Sequence, residues 1–152
     1  MAGLSDYFCG RVDQREYSHV HDFEYVPNYV NITDKDGNTT THISSYTRNL
    51  VTARVVEQTF RFEGVPASLA ETTGSVTVTD VGGASYTFAL VSSVTDGSSG
   101  SRVFEVESVQ VSRARTTPHM RTITVTRRAT RYYLNGSKIT LANEPAWASA
   151  YF

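Results

Sequence analysis

Ser75-Val-Thr-Val-Thr-Asp-Val-Gly-Gly-Ala-Ser-Tyr-Thr-Phe-Ala-Leu90 is the stretch whose reading settles the fold class. Val76 and Val78 alternate with Thr77 and Thr79. After the Gly82-Gly83 turn, Tyr86, Phe88 and Leu90 alternate with Thr87 and Ala89. A period of two places one set of side chains against a core and the other in water, which is the signature of a half-buried strand pair.

Outward from this hairpin the same grammar continues. Strand-like runs are read at Glu16 to Val26, Tyr29 to Thr33, Thr40 to Tyr46, Arg48 to Phe62, Val76 to Val81, Tyr86 to Val94, Val103 to Val111, Arg121 to Leu134 and Lys138 to Leu141. Asp34-Lys-Asp-Gly-Asn38 and Asn135-Gly136 are tight-turn signals between such runs. Asp96-Gly-Ser-Ser-Gly-Ser101 reads as a flexible hairpin tip, and Arg115-Thr-Thr-Pro-His119 as a further connection. Val65 to Glu71 reads as a single helical turn. Arg48 to Phe62 carries apolar residues on both faces, as expected of a twisted strand that changes neighbours. No helix-length apolar pattern interrupts the series, and the short links favour antiparallel pairing. The expected fold is all-β: an antiparallel β-sandwich or partly closed barrel of about seven to nine strands, with at most short helical turns.

The chain has 152 residues, enough for one domain with its own core. Nine Tyr, seven Phe and one Trp argue against disorder. The expected division is an N-terminal arm over 1–15, a β domain over 16–142 and an aromatic tail over 143–152. The tail holds Trp147, Tyr151 and Phe152, and three large rings in six residues point to a docked segment. The single cysteine, Cys9, excludes an intrachain disulfide and is expected to be a small buried residue. No basic, apolar leader opens the sequence and no run of about 18 apolar residues occurs. The expectation is a protein made in the cytoplasm with no membrane association. Three Asn-x-Ser/Thr tripeptides, at Asn31, Asn38 and Asn135, are read as turn and strand chemistry.

The net charge of −1 conceals a segregation. Residues 1–101 carry six Lys or Arg against twelve Asp or Glu, whereas 102–138 carry eight basic against two acidic. Twelve of the fourteen basic residues are Arg, whose planar fork suits carboxylates and aromatic faces. Either the basic strands lie beside acidic ones and cancel, or the subunit is charge-polar and docks head-to-tail. A nucleic-acid face built on Arg113, Arg115, Arg121, Arg127, Arg128 and Arg131 with Tyr132 and Tyr133 is disfavoured by the overall pI near 6.4.

Sites with chemistry are sparse. His19-Val-His21 puts two imidazoles on one strand face and resembles the cupin His-x-His motif. The resemblance breaks at Asp13, where that family has Gly. It breaks again at Glu24, which follows too closely, and His119 is the only further histidine on the carboxyl side of His42. Asp34, Asp36 and Asn38 have the first spacings of a calcium loop, but Thr39 and Ser45 stand where Gly and Glu are needed. No Gly-x-Ser-x-Gly elbow, phosphate-cradling loop or Cys-x-x-Cys occurs. Neither catalysis nor a cofactor or metal is expected.

In overall character the chain resembles the small all-β structural proteins of tailed-bacteriophage particles: tail-tube and tail-completion subunits, head–tail connector proteins and capsid decoration proteins. The likeness lies in a nearly cysteine-free chain rich in Thr, Ser and Val, with long hairpins and aromatic ends. No functional residue is carried over from it. It implies a virion component that works by contact with copies of itself and other particle proteins. The contact residues expected are Tyr7, Phe8, Asp34, Asp36, Asp96, Arg121, Arg127, Arg128, Arg131, Trp147, Tyr151 and Phe152. The alternatives are a carbohydrate-binding module using Tyr25, Tyr29, Tyr132 and Tyr133, and a cupin-like metal enzyme centred on His19 and His21.

Overall fold

The computed structural model describes residues 3–71 and 74–152. It is all-β and antiparallel. Eight strands follow in order: β1 (Phe8–Thr33), β2 (Thr39–Pro66), β3 (Ser75–Thr79), β4 (Ser85–Ala89), β5 (Ser93–Ser99), β6 (Arg102–Thr117), β7 (Met120–Leu134) and β8 (Ser137–Lys138). The main sheet has the order β1-β2-β7-β6-β5, with β8 beside the end of β7; β3 and β4 form a separate hairpin. Short 3-10 turns cover Leu4–Tyr7 and Ala146–Tyr151.

Two hydrophobic clusters hold the sheet. On β2, Phe60 and Phe62 face Val125 and Ile123 of β7, and the β3–β4 hairpin closes over them with Val76, Val78 and Phe88. Phe60 and Phe88 stack at 4.1 Å, a geometry that adds to simple area burial. Nearer the start of the same strand, Val51 and Ala53 pack with Phe104, Val106, Tyr132 and Leu141. Alternation along β2 puts these two sets on opposite faces, since one has odd and the other even positions with no bulge between them. Val55 and Val56 are adjacent and both buried, so β2 exchanges its wet face at that point. The mixed pattern of Arg48 to Phe62 is the sequence trace of this exchange.

Several boundaries differ from the expectation. Of the expected arm over 1–15, residues 1 and 2 lie outside the described residues, and 3–15 are not irregular: Leu4 is buried and strand begins at Phe8. Phe8 lies 5.7 Å from Phe62, so apolar packing pulls this segment into the sheet. Cys9 is exposed, because the face opposite Phe8 meets solvent. The run from Tyr86 to Val94 breaks after Ala89, and β5 joins the other sheet. Val65 to Glu71 contains a turn closed by Leu69 N–H on Pro66 O, with no helical segment among its residues.

Asp96 to Ser99 is paired strand and no flexible tip. Gly97 is there because the chain after β8 crosses directly over it. A Cβ at Gly97 would lie 2.5 Å from the Ala142 carbonyl oxygen and 3.0 Å from Leu141 Cβ. Small residues that resemble a loop in sequence are here a condition of close packing.

The aromatic tail is docked on its own domain. The Trp147 ring lies 4.0 Å from the Arg127 guanidinium, and its Nε1 donates to Glu107 at 3.2 Å. Gln58 Nε2 donates to the Tyr151 hydroxyl at 3.3 Å, and Phe152 covers Arg131 at 4.9 Å. No helix among the described residues is long and apolar enough to cross a membrane.

Candidate protein–protein interface

Beyond the point where Val51 meets Leu134, β2 has no partner but β1. Asp22–Thr33 and Thr39–Leu50 therefore leave the body as a two-stranded ribbon. Twelve residues of β1 at roughly 3.3 Å each give it a reach of about 40 Å.

Local chemistry shapes this ribbon. Asp34 Oδ1 accepts the backbone N–H groups of Asp36 and Asn38, each at 2.9 Å, and Gly37 supplies the positive φ of +82° that closes the turn. Threonine and asparagine pairs rivet the strands: Thr33 with Thr39 at 2.8 Å, Thr41 onto Asn31 at 2.8 Å, and Asn28 onto Thr47 at 2.8 Å. At the base, Asn135 Oδ1 accepts Leu50 N–H at 2.9 Å, and Arg102 pairs with Asp22 at 3.0 Å.

The cross-strand pairs Phe23 with Leu50, Tyr25 with Arg48, Pro27 with Tyr46 and Tyr29 with Ile43 share one face. On it Tyr25, Tyr29 and Tyr46 are 60%, 63% and 59% exposed. Val26, Val30 and Ile32 are exposed on the other face. Among the described residues, nine of the fourteen exposed large hydrophobic ones lie between Val20 and Tyr46. Scattered surface apolar residues are ordinary, whereas a contiguous exposed row of this kind is not. The ribbon also leaves the outer edge of each strand unpaired, and such edges recruit other strands. A lone two-stranded ribbon is marginally stable in water.

His21 sits at the ribbon's root, in the bulge between Val20 and Asp22. Its ring lies 4.9 Å from Tyr132 and 5.7 Å from Phe104. Burial against these rings, then the nearby Arg102 charge, lowers its pKa from the ordinary value. The bulge breaks the regular two-histidine face that a metal motif needs. Among the described residues, no group of three His, Cys, Asp or Glu side chains converges as metal ligands would.

The expected contact residues fall into two groups. Asp34 and Asp36 stand exposed at the ribbon tip. Most of the others are engaged within the chain. Tyr7 and Phe8 pack on the Phe60 cluster. The Asp96 carbonyl oxygen accepts Asn143 Nδ2 at 3.1 Å. Arg127 is only 5% exposed, donating to Gln58 Oε1 at 2.9 Å and to the Thr87 carbonyl at 3.0 Å. Burial pulls its pKa down to about 10. Arg131, equally buried, forms an ion pair with Glu144 at 3.2 Å. Arg128 pairs with Glu57 at 3.0 Å, and Arg121 with Glu71 at 3.0 Å. Arg127 and Arg131 are buried, and Trp147, Tyr151 and Phe152 are half-buried against their own domain. Tyr132 is also buried, its hydroxyl donating to Glu105 O at 2.7 Å, and burial raises its pKa to about 12. It offers no stacking platform for a sugar.

The charge segregation of the sequence is largely cancelled within the chain. Glu57 receives Arg15 and Arg128, Glu71 receives Arg113 and Arg121, and Glu144 receives Arg131 and Lys138. Phe23, Ile43 and Tyr46 were not among the residues singled out from sequence. The signal available for them was apolar side chains on both faces of runs longer than an ordinary strand.

Compared with family models, with curated proteins and with solved structures, the chain matches none of them.

Proposed function

We propose that the chain is a non-enzymatic structural subunit of a virion-type particle, of the tail-tube, head–tail connector or capsid-decoration kind. It works through repeated contacts with copies of itself and with other particle proteins. The observation that carries this reading is the ribbon: an extension of about 40 Å that presents tyrosines on one face and aliphatic residues on the other. The three tyrosines, Phe23 and Ile43 offer on the order of 500 Å² for burial, a large part of one side of a standard interface. Tyrosine is favoured in such surfaces because its ring is apolar and rigid while its hydroxyl stays hydrogen-bonded.

Native mass spectrometry and negative-stain imaging of the purified chain test the proposal. Closed rings, tubes or a lattice are expected. A monomer at every concentration contradicts it. The same tyrosine row could stack on sugar rings, so a monomer that binds a glycan on an array supports a carbohydrate-binding module instead.

A further inference from the structure

The ribbon leaves the body at one end of β2. At the other end, Pro66 pairs with Met120 and Ala67 N–H bonds to His119 O, so the β6–β7 turn lies at the opposite pole. About 50 Å of strand separates the two. Between Arg113, Arg115, Arg121 and Ala67 is a pocket of about 210 Å³.

This pocket is short of negative charge. Glu71 answers two of the three arginines: Arg113 grips both its oxygens, with Nε at 2.9 and 3.0 Å, and Arg121 Nη1 lies at 3.0 Å. The Arg113 hydrogen bonds hold the Glu71 carboxyl below its usual pKa, so the acid is ionised and fully committed. Arg115 is exposed and forms no ion pair with any described residue. Arg121 Nε is buried without an acceptor. Three guanidinium groups around one carboxylate leave room, donors and charge for another carboxylate.

The ribbon tip supplies one. Asp34 and Asp36 flank Lys35. Asp34 spends one carboxylate oxygen on closing the turn, whereas Asp36 is exposed and has no ion pair among the described residues. From Asp22 to Leu50 the ribbon carries four acidic residues against Lys35 and Arg48. Ribbon-to-ribbon pairing between copies would set these acids against each other, whereas the arginine pole attracts them.

We propose that the Arg113–Arg115–Arg121 pocket is the receptor for the acidic ribbon tip of a second copy, with Asp36 pairing to Arg115. The contact is heterologous, tip of one subunit to the far pole of the next, and so it generates a ring or an open stack. This rests on the self-assembly reading above and adds its direction and its receptor.

A charge exchange tests it. Asp36→Lys and Arg115→Glu each alter an exposed side chain, so both variants should fold. Each alone is expected to weaken association by roughly tenfold or more in sedimentation equilibrium. An equal mixture of the two variants is expected to recover wild-type association. In the mixture the basic tip of Asp36→Lys meets the acidic pocket of Arg115→Glu, and the unaltered tip meets the unaltered pocket. Raised salt should weaken the wild-type contact. Wild-type association by both single variants overturns the pocket while leaving self-assembly intact. A wild-type chain that stays monomeric overturns both readings. Loss of oligonucleotide binding in Arg115→Glu, with association unchanged, assigns the pocket to phosphate and overturns the tip.

Discussion

Gly97 and Arg127 show how much of this fold is decided by single side chains. No Cβ fits at Gly97 beneath Ala142 and Leu141. Gly97→Ala is therefore expected to cost about 1–3 kcal/mol in denaturant unfolding, as overpacking does. Arg127→Ala leaves Gln58 Oε1 and the Thr87 carbonyl without a donor and empties the space under Trp147. Its expected cost is about 2–4 kcal/mol. Two titrating groups give pH signatures of opposite reach. The folded-state pKa of His21 is depressed, so its contribution is present above the ordinary histidine value and fades as pH falls through the folded one. Stability should drop as pH falls below the ordinary histidine value of 6.5, and His21→Phe should flatten that slope. Tyr132 is shifted upward, to about 12. Its contribution is full below about pH 10 and is lost as pH rises toward 12, so Tyr132→Phe should lessen the alkaline loss of stability.

Among the elements, the ribbon separates from the rest. Replacing Tyr25–Arg48 by Asn-Gly keeps the Glu24–Asn49 pair as the last rung. The body clusters lie elsewhere, so its melting temperature is expected to stay within a few degrees while association disappears. Tyr25→Ser, Tyr29→Ser and Tyr46→Ser together should act the same way with the backbone intact. The hairpin around Asp34–Asn38 was legible in the sequence because turn chemistry is local: one Asp, one Gly and flanking alternation specify it. That the hairpin stands clear of the body was not. Exposure depends on where β7 stops, at Leu134, far from the ribbon in sequence. The Gly97-Ser-Ser-Gly100 stretch misled for the same reason. Glycine for flexibility and glycine for close approach look alike until the chain that passes over it is placed.

For the whole molecule, the tail and the charge pattern matter together. Its docking was expected from three clustered rings, but the choice between its own domain and a neighbour needed the position of Arg127 and Arg131. Truncation after Pro145 exposes both arginines, and the melting temperature is expected to fall by roughly 5–15 °C in calorimetry. The segregated charges could be counted from sequence, yet their outcome could not. Most of the basic residues of 102–138 pair with Asp22, Glu57, Glu71 and Glu144, while Arg115 stays without an ion pair among the described residues.

The most direct measurement of the central claim is sedimentation velocity on the full chain and on the ribbon-shortened chain, side by side. An assembling full chain beside a folded, monomeric shortened chain is the outcome this account requires. Equal association by the two, or a full chain that remains monomeric at millimolar concentration, contradicts it.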